Sequence, residues 1–190
     1  MGRAKALLDW HGRPLVVHMC DVVGAAVGGP VVVVGSAGQE LPLLPEGIEL
    51  VTDSLPDRGP LQGLVDGLVA LSSRVDVALV AGTDVPFLRS AVARHLLAAV
   101  ERDVAVAVPV VDGRSQPLPA AYSTEVIGPA RELLGTGERK MLALLERVRT
   151  RELSERDLLD DPDVRREDPE LRSLVDLDTE ADYLAALRGS

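Results

Sequence analysis

Val77-Ala78-Leu79-Val80-Ala81-Gly82-Thr83-Asp84-Val85-Pro86-Phe87-Leu88 is the stretch that decides the fold class of this chain. Its first five residues are all apolar, which is typical of a strand buried on both faces of a parallel sheet. In open α/β sheets ligands bind beyond the carboxyl ends of such strands, where Asp84 falls. Asp84 could instead cap the next helix, but Pro86 intervenes and Ser90 is better placed to cap a helix over 91–100. We therefore predict that Asp84 is available as a metal ligand.

Outward from this stretch, strand and helix patterns alternate along the chain. Strands are predicted at 31–34, 48–51, 77–81 and 104–111, and helices at 14–27, 60–71, 91–100 and 127–134. Asp112-Gly113 is a strong hairpin signal, and it predicts an antiparallel return strand over 116–122. With no repeat and no linker composition, residues 1–190 are expected to form one α/β domain. We predict a three-layer α/β/α sandwich with a mostly parallel sheet and a small antiparallel insertion.

The last forty or so residues are rich in charge. The composition of 154–172 predicts a solvated loop with room for one helical turn at 155–159. A last strand is predicted at 174–178, and Thr179 with Asp182 has the spacing of a capping box that opens a closing helix. Because Thr179 can do the capping, the aspartates just before it, Asp176 and Asp178, are partly released for another role, although a polar strand end explains them equally well.

Composition excludes several function classes. The 190-residue chain carries a formal net charge of −10, and so it offers no general basic surface for nucleic acid. A single cysteine, Cys20, allows no disulfide framework and fits a reducing compartment. The apolar runs are too short to span a bilayer. The sequence therefore predicts a cytoplasmic protein that binds neither nucleic acid nor a membrane.

Three further segments suit an anionic ligand, and each also has an ordinary explanation. Gly2-Arg3-Ala4-Lys5 combines a glycine with two cations, as a triphosphate site would, or is a plain polar terminus. Pro60 at a first helical position leaves the amides of Leu61 and Gln62 free to face a ligand, or belongs to a routine strand-to-helix connection. Arg139-Lys140 at a predicted helix start opposes the helix dipole, which favours a bound anion or is tolerated at small cost in solvent.

Taken together, these motifs resemble those of the MobA-like nucleotidyltransferases. The matching pieces, in chain order, are Met1 to Leu8 with Gly12 and Pro14, then Asp53, Gly59-Pro60-Leu61-Gln62-Gly63, Asp84-Val85-Pro86-Phe87-Leu88, Gln116-Pro117-Leu118, Gly137-Glu138-Arg139-Lys140-Met141 and Asp176-Leu177-Asp178-Thr179. They cover nearly the whole chain, so the joint pattern is far more specific than any one piece.

The resemblance implies a Rossmann-like fold of the nucleotide-diphospho-sugar transferase type and a role for each matching residue. It implies transfer of a nucleoside monophosphate to a phosphorylated acceptor, with Mg²⁺ and release of pyrophosphate. Lys5 and Asp84 are implied as catalytic, and Asp84 and Asp178 as the Mg²⁺ ligands. The residues implied to bind the nucleotide are Gly2, Arg3, Lys5, Asp53, Gly59, Pro60 and Leu61, and those implied to bind the acceptor are Gln116, Pro117, Arg139 and Lys140.

Within the family the likeness is to the guanine-using branch, which joins GTP to molybdenum-bearing molybdopterin. Molybdoenzymes or other cofactor-synthesis proteins are the protein partners that this branch suggests. Three alternatives stay open: a molybdopterin cytidylyltransferase, a phospholactate guanylyltransferase, or a truncated nucleotide-binding protein without catalysis.

The chain departs from the family pattern in two places. Family members usually carry asparagines where this chain has Asp176 and Asp178. They also begin with a hydrophobic strand and a Leu-Ala-Gly-Gly loop before the arginine that corresponds to Arg3. We therefore expect an N-terminally truncated domain, with Met1 an internal methionine, in which two neighbouring strands lack a ladder partner.

Overall fold

The computed structural model of the chain describes residues 5–54 and 59–189. Its strands are β1 (Asp9–Trp10), β2 (Arg13–Pro14), β3 (Val31–Gly35), β4 (Ile48–Thr52), β5 (Val77–Val80), β6 (Val106–Val111), β7 (Arg114–Ser115), β8 (Ala120–Ser123) and β9 (Thr150–Ser154). Its α-helices are α1 (Leu15–Val27), α2 (Pro60–Leu71), α3 (Ser90–Ala98), α4 (Ile127–Gly135), α5 (Met141–Arg147), α6 (Glu155–Asp160), α7 (Pro162–Glu167) and α8 (Glu180–Gly189). No helix within these ranges is both long and apolar enough to cross a membrane.

The strands pair both in parallel and antiparallel, and β5, which opens with Val77, belongs to the largest sheet. β3 and β4 pair in parallel, and so do β6 and β9. β8 lies between β5 and β6 and is antiparallel to both, so β5 and β6 run in the same direction. The predicted hairpin is confirmed, since β6 and β7 pair across Asp112-Gly113. The antiparallel return strand therefore lies inside the sheet and separates two parallel strands.

The core occupies both faces of the sheet, as a three-layer sandwich requires. Val106 and Val108 of β6 pack on the side of α2, α4 and α5. Ala107, between them, packs on the opposite side with α3, α6 and α7. This alternation follows from the two-residue period of a strand. The α/β/α sandwich predicted from the sequence is confirmed.

An apolar gap separates β3 from β5. Within 5–54 and 59–189, β3 pairs only with β4, and β5 pairs only with β8. Val31–Val34 and Ala78–Ala81 line opposite sides of a cavity of about 300 Å³, and Cys20 also lines it. Burial raises the pKa of the Cys20 thiol. The gap is lined mainly by apolar side chains and would accommodate one further apolar strand.

This gap leads to a test of the expected extra strand. We expect an amino-terminal extension of five uncharged apolar residues and a short glycine loop to pair with β3 and β5. The net gain should be about 2 kcal/mol after the cost of ordering the segment, or about 5 °C in thermal midpoint. The Cys20 thiol should also react more slowly with a thiol reagent. A control extension carries two lysines in the strand, and equal behaviour of the two extensions would contradict the expectation.

Two predictions for the carboxyl-terminal region are wrong. The stretch 154–172 is mostly helical and not a loop, because local caps outweigh its charged composition. The helical turn predicted at 155–159 is confirmed as α6, whereas α7 was not predicted. Ser154 and Asp157 form a capping box at α6, and Asp161 accepts from the first amides of α7, which begins with Pro162. The stretch 174–178 is not a strand: a 3₁₀ turn ends at Leu174, and the chain then runs extended without a sheet partner among the described residues.

The last strand of the sheet is β9, which pairs in parallel with β6, and not the strand predicted at 174–178. The alternation of charged and apolar residues over Thr150–Ser154 is weak, and the sequence analysis did not identify this strand. Ser90 does not cap α3, since it is the first helical residue. The Ala91 amide donates to the Glu167 carboxylate at 3.2 Å instead. The Thr179–Asp182 capping interaction at α8 is confirmed, with Thr179 Oγ1 2.7 Å from Asp182 Oδ2.

Candidate active site

Lys5 and two aspartates form a charged group just beyond the end of β5. The Lys5 ammonium nitrogen lies 3.8 Å from Asp84 Oδ2 and 3.8 Å from Asp178 Oδ1. The Lys5 and Asp84 side chains are about one-third exposed, and that of Asp178 is 77% exposed. The group is therefore open to a ligand from solvent while two of its members are held against the protein.

Asp84 is fixed by contacts on both sides of its backbone. Its carbonyl oxygen accepts a hydrogen bond from the Leu177 amide at 2.8 Å, which joins the chain after β5 to the chain before α8. Two residues on, the Pro86 carbonyl lies 2.8 Å from Nε2 of His18 in α1. A Cβ added at Gly82 would collide with the Asp84 carboxylate, so a glycine there leaves room for the side chain to fold back.

An aromatic cluster under this segment holds α8 in place. Trp10, Leu15, Phe87, Leu177 and Tyr183 pack together and are buried. Because α8 follows directly after Asp178, this cluster brings the carboxyl-terminal aspartates to the amino-terminal lysine. Residues at opposite ends of the chain are therefore combined in one charged group.

Asp176 belongs to the same electrostatic environment. Partial burial raises its pKa, the nearby Asp84 and Asp178 carboxylates raise it further, and Lys5 acts in the opposite direction. A raised pKa is expected where several carboxylates share a partly buried site with a single cation. The site accordingly has an excess of negative charge, which a divalent cation would relieve.

The donor set fits a hard cation such as Mg²⁺ only in combination with a substrate. Asp84 and Asp178 are both within ion-pair distance of Lys5 Nζ, and carboxylate oxygens are suitable ligands. No group of three or more metal-ligating side chains occurs in the part of the chain that the structure describes. Mg²⁺ is commonly bound by one or two carboxylates plus phosphate oxygens, and two carboxylates meet that requirement.

The start of α2 lies close to the chain that precedes α5. Gly59 has a φ of +71°, and a Cβ there would approach the Arg139 Cβ and carbonyl oxygen to 3.3 Å. A glycine is thus needed both for the backbone conformation and for the close contact. Pro60, Thr83, Leu118 and Met141 all line the same cavity of about 300 Å³. The start of α2, the residue before Asp84 and the start of α5 therefore all border the apolar gap between β3 and β5.

Arg139 and Lys140 differ from expectation in one respect. Lys140 is the N-cap of α5, so both cations precede the helix and do not lie in its first turn. The Glu138 carboxylate accepts from their backbone amides at 2.7 Å and 2.9 Å. These hydrogen bonds, that from Lys140 above all, lower the pKa of Glu138. Glu138 thus orders the two residues that lead into α5 without capping the helix itself, and both cationic side chains are exposed.

The other predicted residues fall in different places. Asp53 follows β4, and its amide donates to the Gly35 carbonyl of β3 at 2.8 Å. Pro117 accepts from the buried Tyr122 hydroxyl at 2.8 Å, whereas Gln116 lines a separate open depression of about 820 Å³ beside α5. Gly2 and Arg3 lie outside the described residues.

The sequence analysis missed one polar cluster, formed by Ser54, Gln62 and Asp66. The amide nitrogen of Gln62 lies 3.1 Å from Asp66 Oδ2 and 2.9 Å from Ser54 Oγ. Gln62 is buried, although it is polar. The four-residue spacing of Gln62 and Asp66 on one helix face was the available signal, because such pairs are neighbours on a helix.

The chain is a Rossmann-like α/β/α sandwich in which a lysine and two aspartates meet beyond the end of β5, the edge at which α/β sheets bind their ligands. Residues 1–152 match the family described as the MobA-like NTP transferase domain, and the chain belongs to that family. The carboxyl-terminal residues that carry Asp176 and Asp178 follow the matched region.

Known relatives agree with this assignment. A protein of Mycobacterium tuberculosis H37Rv named "Probable molybdenum cofactor guanylyltransferase" is 39% identical over 150 residues, which are 77% of this chain and 73% of that protein. The "Molybdenum cofactor guanylyltransferase" of Desulfosudis oleivorans is 29% identical over 178 residues, covering 94% of this chain and 83% of the relative. The crystal structure of molybdopterin-guanine dinucleotide biosynthesis protein A from Archaeoglobus fulgidus has the same fold, with a TM-score of 0.76 at 22% identity over 98% of this chain and 90% of that chain.

Proposed function

We propose that the chain transfers GMP from GTP to molybdenum-bearing molybdopterin, forming the guanine dinucleotide cofactor and releasing pyrophosphate. The observation that carries the proposal is the position of Lys5 Nζ, 3.8 Å from both Asp84 and Asp178, in a member of the MobA-like family. The names of the two curated relatives support the guanine and the molybdenum cofactor, and the name of the Archaeoglobus fulgidus protein supports the molybdopterin.

Lys5 is the residue we assign to the triphosphate. Its ammonium would neutralise the phosphate oxygens, and its charge would count most when pyrophosphate leaves and negative charge grows on the leaving group. When no nucleotide is bound, the aspartates hold this ammonium at the site, so the cation needs little reorganisation before it meets the triphosphate. The predicted contributions of Gly2 and Arg3 belong to the same triphosphate cradle.

Asp84 and Asp178 are the residues we assign to Mg²⁺. When bound, the metal would neutralise charge on the phosphate oxygens and orient them. Asp84 is anchored through its backbone to Leu177, so the two carboxylates keep a common geometry.

The nucleoside would lie toward Asp53 and the start of α2. Gly59, Pro60 and Leu61 open that helix. Contrary to the sequence expectation, the Gln62 amide donates to the Gly59 carbonyl at 3.2 Å, and Pro60 has no amide hydrogen, so the Leu61 amide is the one we assign to the nucleotide. Pro60 lines the cavity that Thr83 also reaches, one residue before Asp84. This shared border supports assigning the nucleoside to the start of α2, near the residues assigned to the phosphates.

The acceptor would enter from the side of Arg139 and Lys140. Both side chains are exposed cations, and Arg139 lies against Gly59. Gln116 and Pro117 are assigned to the same substrate. The terminal phosphate of molybdopterin is already an anion, so its oxygen attacks the α-phosphorus and the bond to the bridging oxygen of pyrophosphate breaks without any proton being removed. No general base is needed, and the protein acts by positioning and charge neutralisation.

Pyrophosphate release tests this function against its alternatives. We expect release that requires GTP, Mg²⁺ and molybdenum-bearing molybdopterin together, and a rate with CTP at least about tenfold lower, since base discrimination by hydrogen bonds exceeds that factor. Preference for CTP would favour a molybdopterin cytidylyltransferase, and release with phospholactate in place of molybdopterin would favour a phospholactate guanylyltransferase. GTP binding in calorimetry without any pyrophosphate release would indicate a nucleotide-binding protein without catalysis, and failure of GTP to bind would indicate a remnant with neither property.

A further inference from the structure

The polar cluster of Ser54, Gln62 and Asp66 connects the end of β4 to α2. The Asp66 carboxylate accepts from the Ser54 amide at 2.9 Å and from Ser54 Oγ at 2.9 Å. Gln62 donates from its side-chain amide to both partners, at 2.9 Å to Ser54 Oγ and 3.1 Å to Asp66 Oδ2. Every member of the cluster has at least two partners, so the arrangement is over-determined.

The cluster fixes the residue that follows Asp53. The Asp53 amide is held by the Gly35 carbonyl at 2.8 Å on one side, and the Ser54 amide is held by Asp66 on the other. With both neighbouring amides bound, the backbone at Asp53 has little freedom to rotate. Asp66 thereby helps to fix the backbone that carries the Asp53 side chain next to the start of α2.

Packing of α2 does not depend on this cluster. The helix is held by apolar side chains that are almost completely buried, among them Leu61, Leu64 and Leu68. Asp66 lies on the opposite, partly exposed side of the helix. Its three accepted hydrogen bonds are therefore available for a purpose other than holding the helix in the core.

We propose that Asp66 is a positioning residue for nucleotide recognition, which acts through the Ser54 backbone to hold Asp53 and the first turn of α2 in the geometry that binds the nucleoside. The inference rests on the proposed function, because it takes Asp53 as a nucleotide contact. Asp66 itself touches no substrate. Loss of the Asp66 side chain should weaken nucleotide binding and leave the rate of the chemical step and the affinity for the acceptor unchanged.

Steady-state kinetics of Asp66→Ala test the inference. We expect the half-saturating GTP concentration to rise about tenfold. This corresponds to losing the net free energy of about one hydrogen bond from nucleotide binding. The kcat at saturating GTP and the half-saturating concentration of molybdopterin should stay within about twofold of the parent. Asp66→Asn keeps a carbonyl oxygen for the Ser54 amide, so it should recover a large part of the GTP affinity.

Asp157→Ala is the matched control. Asp157 accepts from a serine amide and hydroxyl in the same way, at 2.8 Å and 2.6 Å from Ser154, but it caps α6. The Asp157→Ala variant should lower the thermal midpoint about as much as Asp66→Ala does and leave the half-saturating GTP concentration unchanged. An equal rise in both variants would mean that lost stability is the cause and would overturn the inference.

Two outcomes separate failure of this inference from failure of the proposed function. If the parent chain binds and uses GTP while Asp66→Ala has the same GTP half-saturation, the inference is wrong and the function stands. If the parent chain neither binds nor uses GTP under the conditions above, the proposed function is wrong and the inference falls with it. Both are read from the same titrations of GTP at fixed molybdopterin.

Discussion

Asp84→Ala is expected to lower kcat by about 1000-fold, the upper end of the range found when a group that stabilises developing charge is removed. The loss combines one of two assigned Mg²⁺ ligands with the partner that holds Lys5 in place at 3.8 Å. The fold should survive, because the backbone hydrogen bond from Leu177 to the Asp84 carbonyl does not need the side chain. The measurement is pyrophosphate release at saturating GTP and molybdopterin, with the thermal midpoint recorded alongside.

The control for this variant is Asp21→Ala. Asp21 is a half-exposed carboxylate on α1 that pairs with Arg13. It should leave kcat within about twofold, as expected for a surface ion pair. Asp84→Asn should resemble Asp84→Ala, since the charge matters more than the shape. A rate near that of the parent in either Asp84 variant, with magnesium present, would show that Asp84 is not an active-site residue.

Lys5→Ala is expected to lower kcat by about 100- to 1000-fold. Without the ammonium, Asp84 and Asp178 lose the cation that both approach at 3.8 Å, and the triphosphate loses a neutralising charge. Lys5→Arg retains the charge but not the compact shape, so it should recover only part of the rate. The GTP half-saturation should change less than kcat does, because the charge is needed most as pyrophosphate leaves.

Arg74→Ala serves as the matched cation control. Arg74 pairs with Glu49 on the surface at 2.8 Å and has no assigned role in catalysis. Its loss removes the same formal charge from an already acidic protein, so it corrects for long-range electrostatics. If Arg74→Ala and Lys5→Ala slow turnover equally, the local role of Lys5 is refuted.

The sequence could predict the fold because its apolar runs have unambiguous lengths and spacings. Val77 to Val80 and Val31 to Val34 are strands in the structure, and α1 and α2 begin at or next to a proline placed at a first turn. The carboxyl-terminal region was harder, since caps such as Ser154 with Asp157 were hidden among many charges. Pairing was the least accessible property, because nothing local places β8 between β5 and β6.

The candidate site was predictable in its residues but not in its connections. Asp84 could be identified because a carboxylate after a buried strand has a defined place at the sheet edge. The approach of Asp178 to Lys5 depends on the aromatic cluster around Trp10 and Tyr183, which joins residues at opposite ends of the chain. Asp66 escaped notice, since its partners lie four and twelve residues away and only the folded chain brings all of them together.

Transfer of label from GTP that carries radioactive phosphorus in its α-phosphate tests the central claim most directly. The chain is incubated with this GTP, Mg²⁺ and molybdenum-bearing molybdopterin, and the products are separated. The proposed function predicts label in a molybdopterin guanine dinucleotide, with one pyrophosphate released for each label transferred and none transferred by Asp84→Ala. Label found only in unreacted GTP or in free GMP, with molybdopterin unlabelled, would contradict it.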